Sequence, residues 1–148
     1  MEKKLQDYLH YYIGCKVQKD SFALDYPTIE GVHGDTVIIS KYPYRTPNCD
    51  KTFIRPRIWH SISFVKPILR RLEDISNDEW LEIECETSIA PDAIGSYGVR
   101  ESIMTMETRH RFHWTITNEV LIILRKRGID VDELIKSDLA IDAATLPK

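Results

Sequence analysis

Residues 28–40 read Thr28-Ile29-Glu30-Gly31-Val32-His33-Gly34-Asp35-Thr36-Val37-Ile38-Ile39-Ser40. Two runs rich in β-branched residues flank a turn at Gly34 and Asp35, and that pattern predicts an antiparallel hairpin. Short strand-like pieces lie on either side. Cys15-Lys16-Val17-Gln18 alternates upstream, and Ile62-Ser63-Phe64-Val65-Lys66-Pro67-Ile68-Leu69 follows downstream. Pro67 has no N–H for a ladder, so it is expected at an edge or a strand end. Between them Tyr42-Pro43-Tyr44-Arg45-Thr46-Pro47-Asn48-Cys49-Asp50 reads as a turn-rich loop. Several short strands joined by turns over 15–72 predict a small antiparallel sheet or an SH3-like barrel.

Helical patterns flank this β-rich part. Over 2–13, Leu5, Tyr8, Leu9, Tyr12 and Ile13 fall on one stripe, and Gly14 follows as a C-terminal stop. Ser76-Asn77-Asp78-Glu79 has the form of a capping box, in which serine accepts from the third amide and glutamate reaches back. Trp80, Leu81 and Ile83 then give a modest apolar face. Residues 87–110, with Pro91, Gly95 and Gly98, read as irregular. Ile116, Val120, Ile123 and Leu124 share a helix face that runs to Arg127 and stops at Gly128. Asp130 and Glu133 suggest the start of a last helix, docked by Leu134, Ile135, Leu139 and Ile141. The expected fold is α+β in a single domain over 1–148, with an N-terminal helix and a helical part over 76–146.

Composition agrees with a globular domain: 148 residues, 43% hydrophobic and 29% charged. Twenty basic side chains face 23 acidic ones, a net charge of −3, which argues against a chain built to coat nucleic acid. Cys15, Cys49 and Cys85 form no CxxC pair and read as free thiols of a reducing compartment. Met1–Asp7 puts polar and acidic residues where a secretion signal carries its apolar core, and no run approaches a membrane span. A cytoplasmic location without a membrane partner is expected.

Charge is segregated along the chain. Residues 41–71 hold eight basic side chains against Asp50, a net +7, while 72–90 hold seven acids and no base, a net −7. One reading is a basic platform in which Arg55, Arg57, Lys66, Arg70 and Arg71 bind phosphates while aromatics such as Tyr44 and Trp59 stack on bases. The simpler reading is that the two segments neutralise each other.

Other chemistry is thinner. His110 and His113, three apart, with Glu107 three before, could share a helix face and supply metal ligands, but no CxxC or HExxH completes a set. Cys49 near Arg45 and Lys51 could be an activated thiol if His33 or His60 lay close. Gly95-Ser96-Tyr97-Gly98 lacks the lysine of a phosphate loop. The residues therefore assign no catalytic set, no cofactor and no metal.

Three stretches carry a resemblance: Leu5-Gln6-Asp7-Tyr8-Leu9-His10-Tyr11-Tyr12-Ile13-Gly14-Cys15-Lys16-Val17, the region 64–80 with Val65-Lys66-Pro67-Ile68-Leu69-Arg70, and 119–142 with its Arg127-Gly128-Ile129-Asp130-Val131-Asp132. They resemble a family of small uncharacterised proteins of Bacteroidetes genomes, often in prophage or mobile-element contexts. Such relatives often have a glycine where this chain has Asp138. The resemblance implies an origin and no activity. The leading expectation is a non-enzymatic binding protein that contacts a host or phage protein, with homo-oligomerisation open. The alternatives are a nucleic-acid or nucleotide binder using 41–71, and a metal-dependent enzyme around His110 and His113.

Overall fold

A computed structural model describes residues 2–19, 23–86 and 114–147 and shows an α+β chain. Its strands are β1 (Val17–Gln18), β2 (Ile29–His33), β3 (Thr36–Ile39), β4 (Tyr42–Tyr44), β5 (Phe53–Arg55), β6 (Trp59–Ser61), β7 (Lys66–Leu69) and β8 (Ile141–Asp142). Its α-helices among the described residues are α1 (Asn77–Glu86) and α2 (Trp114–Lys126). The strands form three small sheets, ordered β1-β7-β8, β2-β3-β6 and β4-β5, and these do not close into a barrel among the described residues.

The hairpin is β2–β3, with Gly34 at φ +60° in the turn, a conformation that favours glycine. Glu30 is an extra residue between two ladder pairs, Ile29 with Ile39 and Gly31 with Ile38. Val37 and Ile39 enter the larger of two apolar clusters, with Leu5, Leu9, Tyr12, Val17, Ile29, Tyr42, Leu69 and Leu134.

Pro67 departs from expectation, because β7 is the middle strand of its sheet. Ile68 N–H donates to Lys16 O on the β1 side, so the nitrogen of Pro67 points the other way. There β8 begins only opposite Ile68, and no ladder bond is lost. The residues before it, Ile62–Phe64, form a 3-10 turn rather than strand.

The N-terminal helix over 2–13 is replaced by two 3-10 turns, Leu5–Asp7 and Leu9–Tyr12. Neither has a side-chain cap, and three tyrosines in five residues are poor helix formers, so little sustains a longer ladder. Docking holds the segment instead: Leu5, Leu9 and Tyr12 are buried, while Ile13 faces solvent.

Helix α2 ends as its sequence indicates. Gly128, at φ +72°, donates to Arg125 O and Ile129 donates to Leu124 O, the paired bonds of a Schellman stop. Leu124 and Ile129 join Ile75, Trp80, Ile83, Val120 and Val131 in the second apolar cluster, which seats α1 on α2. Leu81, about a quarter-turn from Trp80, is exposed and not part of that face. The capping box is half made: Ser76 Oγ accepts from Glu79 N at 3.2 Å, but the Glu79 carboxylate turns to Arg70.

The last helix does not form. Residues 130–140 make turns, with Glu133 at φ +56° and Asp138 at φ +58°. The Asp130 carboxylate accepts from Leu134 N and Ile135 N, four and five residues on, beyond the reach of a helix cap. Acidic residues that bond nearby amides compete with the helical ladder, and here they prevail.

The stretch 87–110 and the candidate ligands Glu107, His110 and His113 lie outside the described residues. No described helix is long and apolar enough to cross a membrane.

Candidate functional site

The seven basic and aromatic residues singled out in the sequence separate into two groups. Lys66, Arg70 and Arg71 are engaged in ion pairs that tie elements together. Lys66 Nζ donates to Asp138 at 2.8 Å, and Arg71 Nε to Asp142 at 2.6 Å. Arg70 forms a fork on Glu79 at 3.0 and 2.5 Å, which links β7 to α1. That hydrogen bond holds the Glu79 carboxyl below the usual carboxylate range and raises the Arg70 guanidinium. Arg127 adds contacts to Glu79, Glu82 and Glu86. The acidic segment is thus met chiefly by Arg70 and Arg127, while Lys66 and Arg71 find acids near the C-terminal end.

Tyr44, Arg55, Arg57 and Trp59 remain, and they lie on or beside a ribbon. β4 pairs with β5 through Tyr42–Arg55, Pro43–Ile54 and Tyr44–Phe53. A third segment flanks β4, through a bridge from Ala23 to Tyr44 and a bond from Leu24 N to Pro43 O. Side chains alternate between the two faces. One face carries Ala23, Tyr42, Tyr44, Phe53 and Arg55. Tyr42 anchors it in the core, the Tyr44 and Phe53 rings lie 5.6 Å apart, and the Arg55 guanidinium stacks 4.2 Å above Tyr44. The other face carries a row of Leu24, Pro43 and Ile54, with Leu24 52% and Ile54 60% exposed.

Beyond β5 the exposure continues. Every residue from Lys51 to Trp59 is exposed, including Phe53, Ile54, Ile58 and Trp59. Arg57 in that run pairs with Glu30, the extra residue of β2. Trp59 pairs across the sheet with Ile38, which in turn faces Gly31. A Cβ on Gly31 would meet Ile38 at 3.1 Å, so the bare glycine gives Ile38 room. His60, on the opposite face of β6, has its pKa lowered by burial and by the charges of Lys19 and Arg55.

Sequence reading missed Leu24, Ile54 and Ile58. Strand alternation through Phe53-Ile54-Arg55 was the available signal, since it sets Ile54 on the face opposite its neighbours. Cys49, half-buried in the loop between β4 and β5, has no hydrogen bond to His33 or His60. Among the described residues no group of three or more metal-binding side chains comes together. Compared with family models, curated proteins and solved structures, the chain finds no match in any of the three.

Proposed function

We propose that this chain is a non-enzymatic binding protein of phage or mobile-element type, and that it contacts a host or phage protein through the ribbon and the run that follows it. One observation carries the reading: nine consecutive residues, 51–59, are exposed, and four of them are large and apolar. Large apolar side chains gathered along one exposed run are a feature of interaction surfaces. Phe, Trp, Ile, Pro and Arg side by side suit a protein partner, because interface cores favour aromatics and Arg over Lys and acids. The origin rests on the resemblance of 5–17, 64–80 and 119–142 described above.

Photocrosslinking tests it. A benzophenone amino acid at Trp59 in the full chain, expressed in its native host, is expected to trap a discrete protein adduct that Phe53→Asp abolishes. A probe at exposed Lys136 is expected not to trap it. Absence of any adduct from Trp59 overturns the reading.

The nucleic-acid reading keeps a narrower basis, since Arg57, Lys66, Arg70 and Arg71 are paired with acids. It rests on Lys41, Arg45 and Lys51 beside Tyr44 and Phe53. Nuclease-sensitive adducts, with micromolar binding to short DNA or RNA that weakens steeply with salt and in Arg45→Ala/Lys51→Ala, would replace the protein reading with this one.

A further inference from the structure

The main chain of β5 is open on one side. Pro43 O is turned toward Leu24, so Pro43 and Ile54 form a pair that exchanges no hydrogen bonds. The N–H and C=O of Ile54 therefore point away from β4, over an edge where no described strand pairs. Along that edge the two faces differ in chemistry. Strand alternation, continued to Thr52 by its bond from Arg45, places Lys51, Phe53 and Arg55 on one face and Thr52 and Ile54 on the other, where Leu24 and Pro43 continue the apolar row; the chain bends at Arg57.

We infer, building on the protein-contact reading above, that β5 accepts an extended segment of a partner protein as an added strand centred on Ile54, and that this segment alternates apolar and acidic residues. Its main chain bonds the N–H and C=O of Ile54. Its apolar side chains cover the Leu24–Pro43–Ile54 row. Its acids fall on the face of Lys51 and Arg55. Strand addition of this type takes affinity from the main chain and specificity from alternate side chains.

Charge selects the occupant. A second copy of β5 laid antiparallel about Ile54 would set Lys51 diagonal to the copy's Arg55 on the same face, and like charges so placed repel. Short length, cations and a proline are also how sheet edges resist self-pairing, and Pro56 limits the edge to few donors. The same cations attract an acidic strand.

The experiment uses the full chain and three blocked heptapeptides: alternating Glu/Val, alternating Lys/Val, and Glu/Val with alternate amides methylated. Saturable binding of the Glu/Val peptide is expected, with slowed hydrogen exchange at the Ile54 amide. At least about tenfold weaker binding is expected for the Lys/Val and methylated peptides and for Ile54→Pro. Proline at 54 removes no bond to β4, so that variant keeps the ribbon, and Lys51→Glu supplies a second test that leaves the backbone untouched. No binding of Glu/Val, or equal binding of all three peptides or of Ile54→Pro, overturns strand addition. A Trp59 adduct that survives Ile54→Pro undiminished leaves the protein contact standing and removes this mode. Concentration-dependent dimers lost on Ile54→Pro would make the occupant a second copy and overturn the acidic partner.

Discussion

Arg125 grips Asp132 with two hydrogen bonds, Nε at 2.9 Å and Nη2 at 2.7 Å, while its guanidinium lies 4.1 Å above the ring of Tyr11. Tyr12 Oη donates to the same carboxylate at 2.8 Å, and Lys3 Nζ donates to Asp132 O at 2.6 Å. The end of α2, the turn after it and the N-terminal 3-10 turns are thereby joined at one carboxylate. Burial first, and then the Asp132 charge, raise the Tyr12 pKa, so its hydroxyl stays protonated and donates.

Removing that carboxylate strands a shielded guanidinium. Asp132→Ala is expected to cost about 3 kcal/mol, the scale for breaking a largely buried ion pair. Tyr12→Phe removes one donor and leaves the fork, so about 1 kcal/mol is expected. Urea unfolding of both variants beside wild type checks the ratio, and equal losses would refute the shared-carboxylate account.

Acid should loosen the corner between β7, α1 and α2. The folded-state pKa of Glu79 is depressed, chiefly by its hydrogen bond from Arg70. Its contribution is therefore present above the ordinary carboxylate pKa, about 4.3, and is lost as pH falls through the lower folded value. Asp142 moves in the same direction, through the Ala144 amide and then Arg71. Glu79→Gln is expected to be less stable than wild type at pH 7 and to converge with it on acidification, as thermal melts across pH 2–7 would record.

The three thiols should react in sequence. Cys85 is exposed, Cys49 half-buried and Cys15 buried. Burial pushes the Cys15 thiol up to about 11. Its raised folded pKa means the associated stability is full below the unfolded thiol value and is lost as pH climbs toward 11. Alkylation followed by mass spectrometry is expected to mark Cys85 first, Cys49 next and Cys15 only on opening. Cys15 modified as fast as Cys85 in native buffer would contradict the packing.

Asp138 holds a left-handed backbone at φ +58°. Asp138→Gly removes that strain and loses only the exposed pair with Lys66, so stability should stay within about 1 kcal/mol of wild type. Asp138→Val should cost about 1–2 kcal/mol, because a β-branched residue is strained there. Equal melting temperatures for the two variants would count against this assignment.

What could be read in advance follows from how local the cause is. The hairpin at Gly34 and the stop at Gly128 are set by residues within a few positions, and both are legible in sequence. The helix expected after Asp130 gives way where Asp130 bonds the Leu134 and Ile135 amides, and the turn is held by Asp132 on Arg125 and on Tyr12, the latter 120 residues away along the chain. The +7 segment likewise says nothing about which of its cations meet acids at 30, 79, 138 and 142. Only the fold divides the structural pairs at Lys66, Arg70 and Arg71 from the surface at Tyr44, Arg55 and Trp59. Ile54 was harder still, because its open edge depends on where Pro43 directs its carbonyl.

β7 has a consequence for how the protein is made. Its partners are β1, at residues 17–18, and β8, at 141–142. A ribosome releases the first more than a hundred residues before the second. Leu5 and Leu9 share a cluster with Leu134 and Ala140, so one side of the wall around these apolar side chains arrives only after residues 15–69 have supplied the rest. Translation must pass residue 142 before the sheet is whole, and until then that side of the cluster is open to whatever chaperone waits at the tunnel exit.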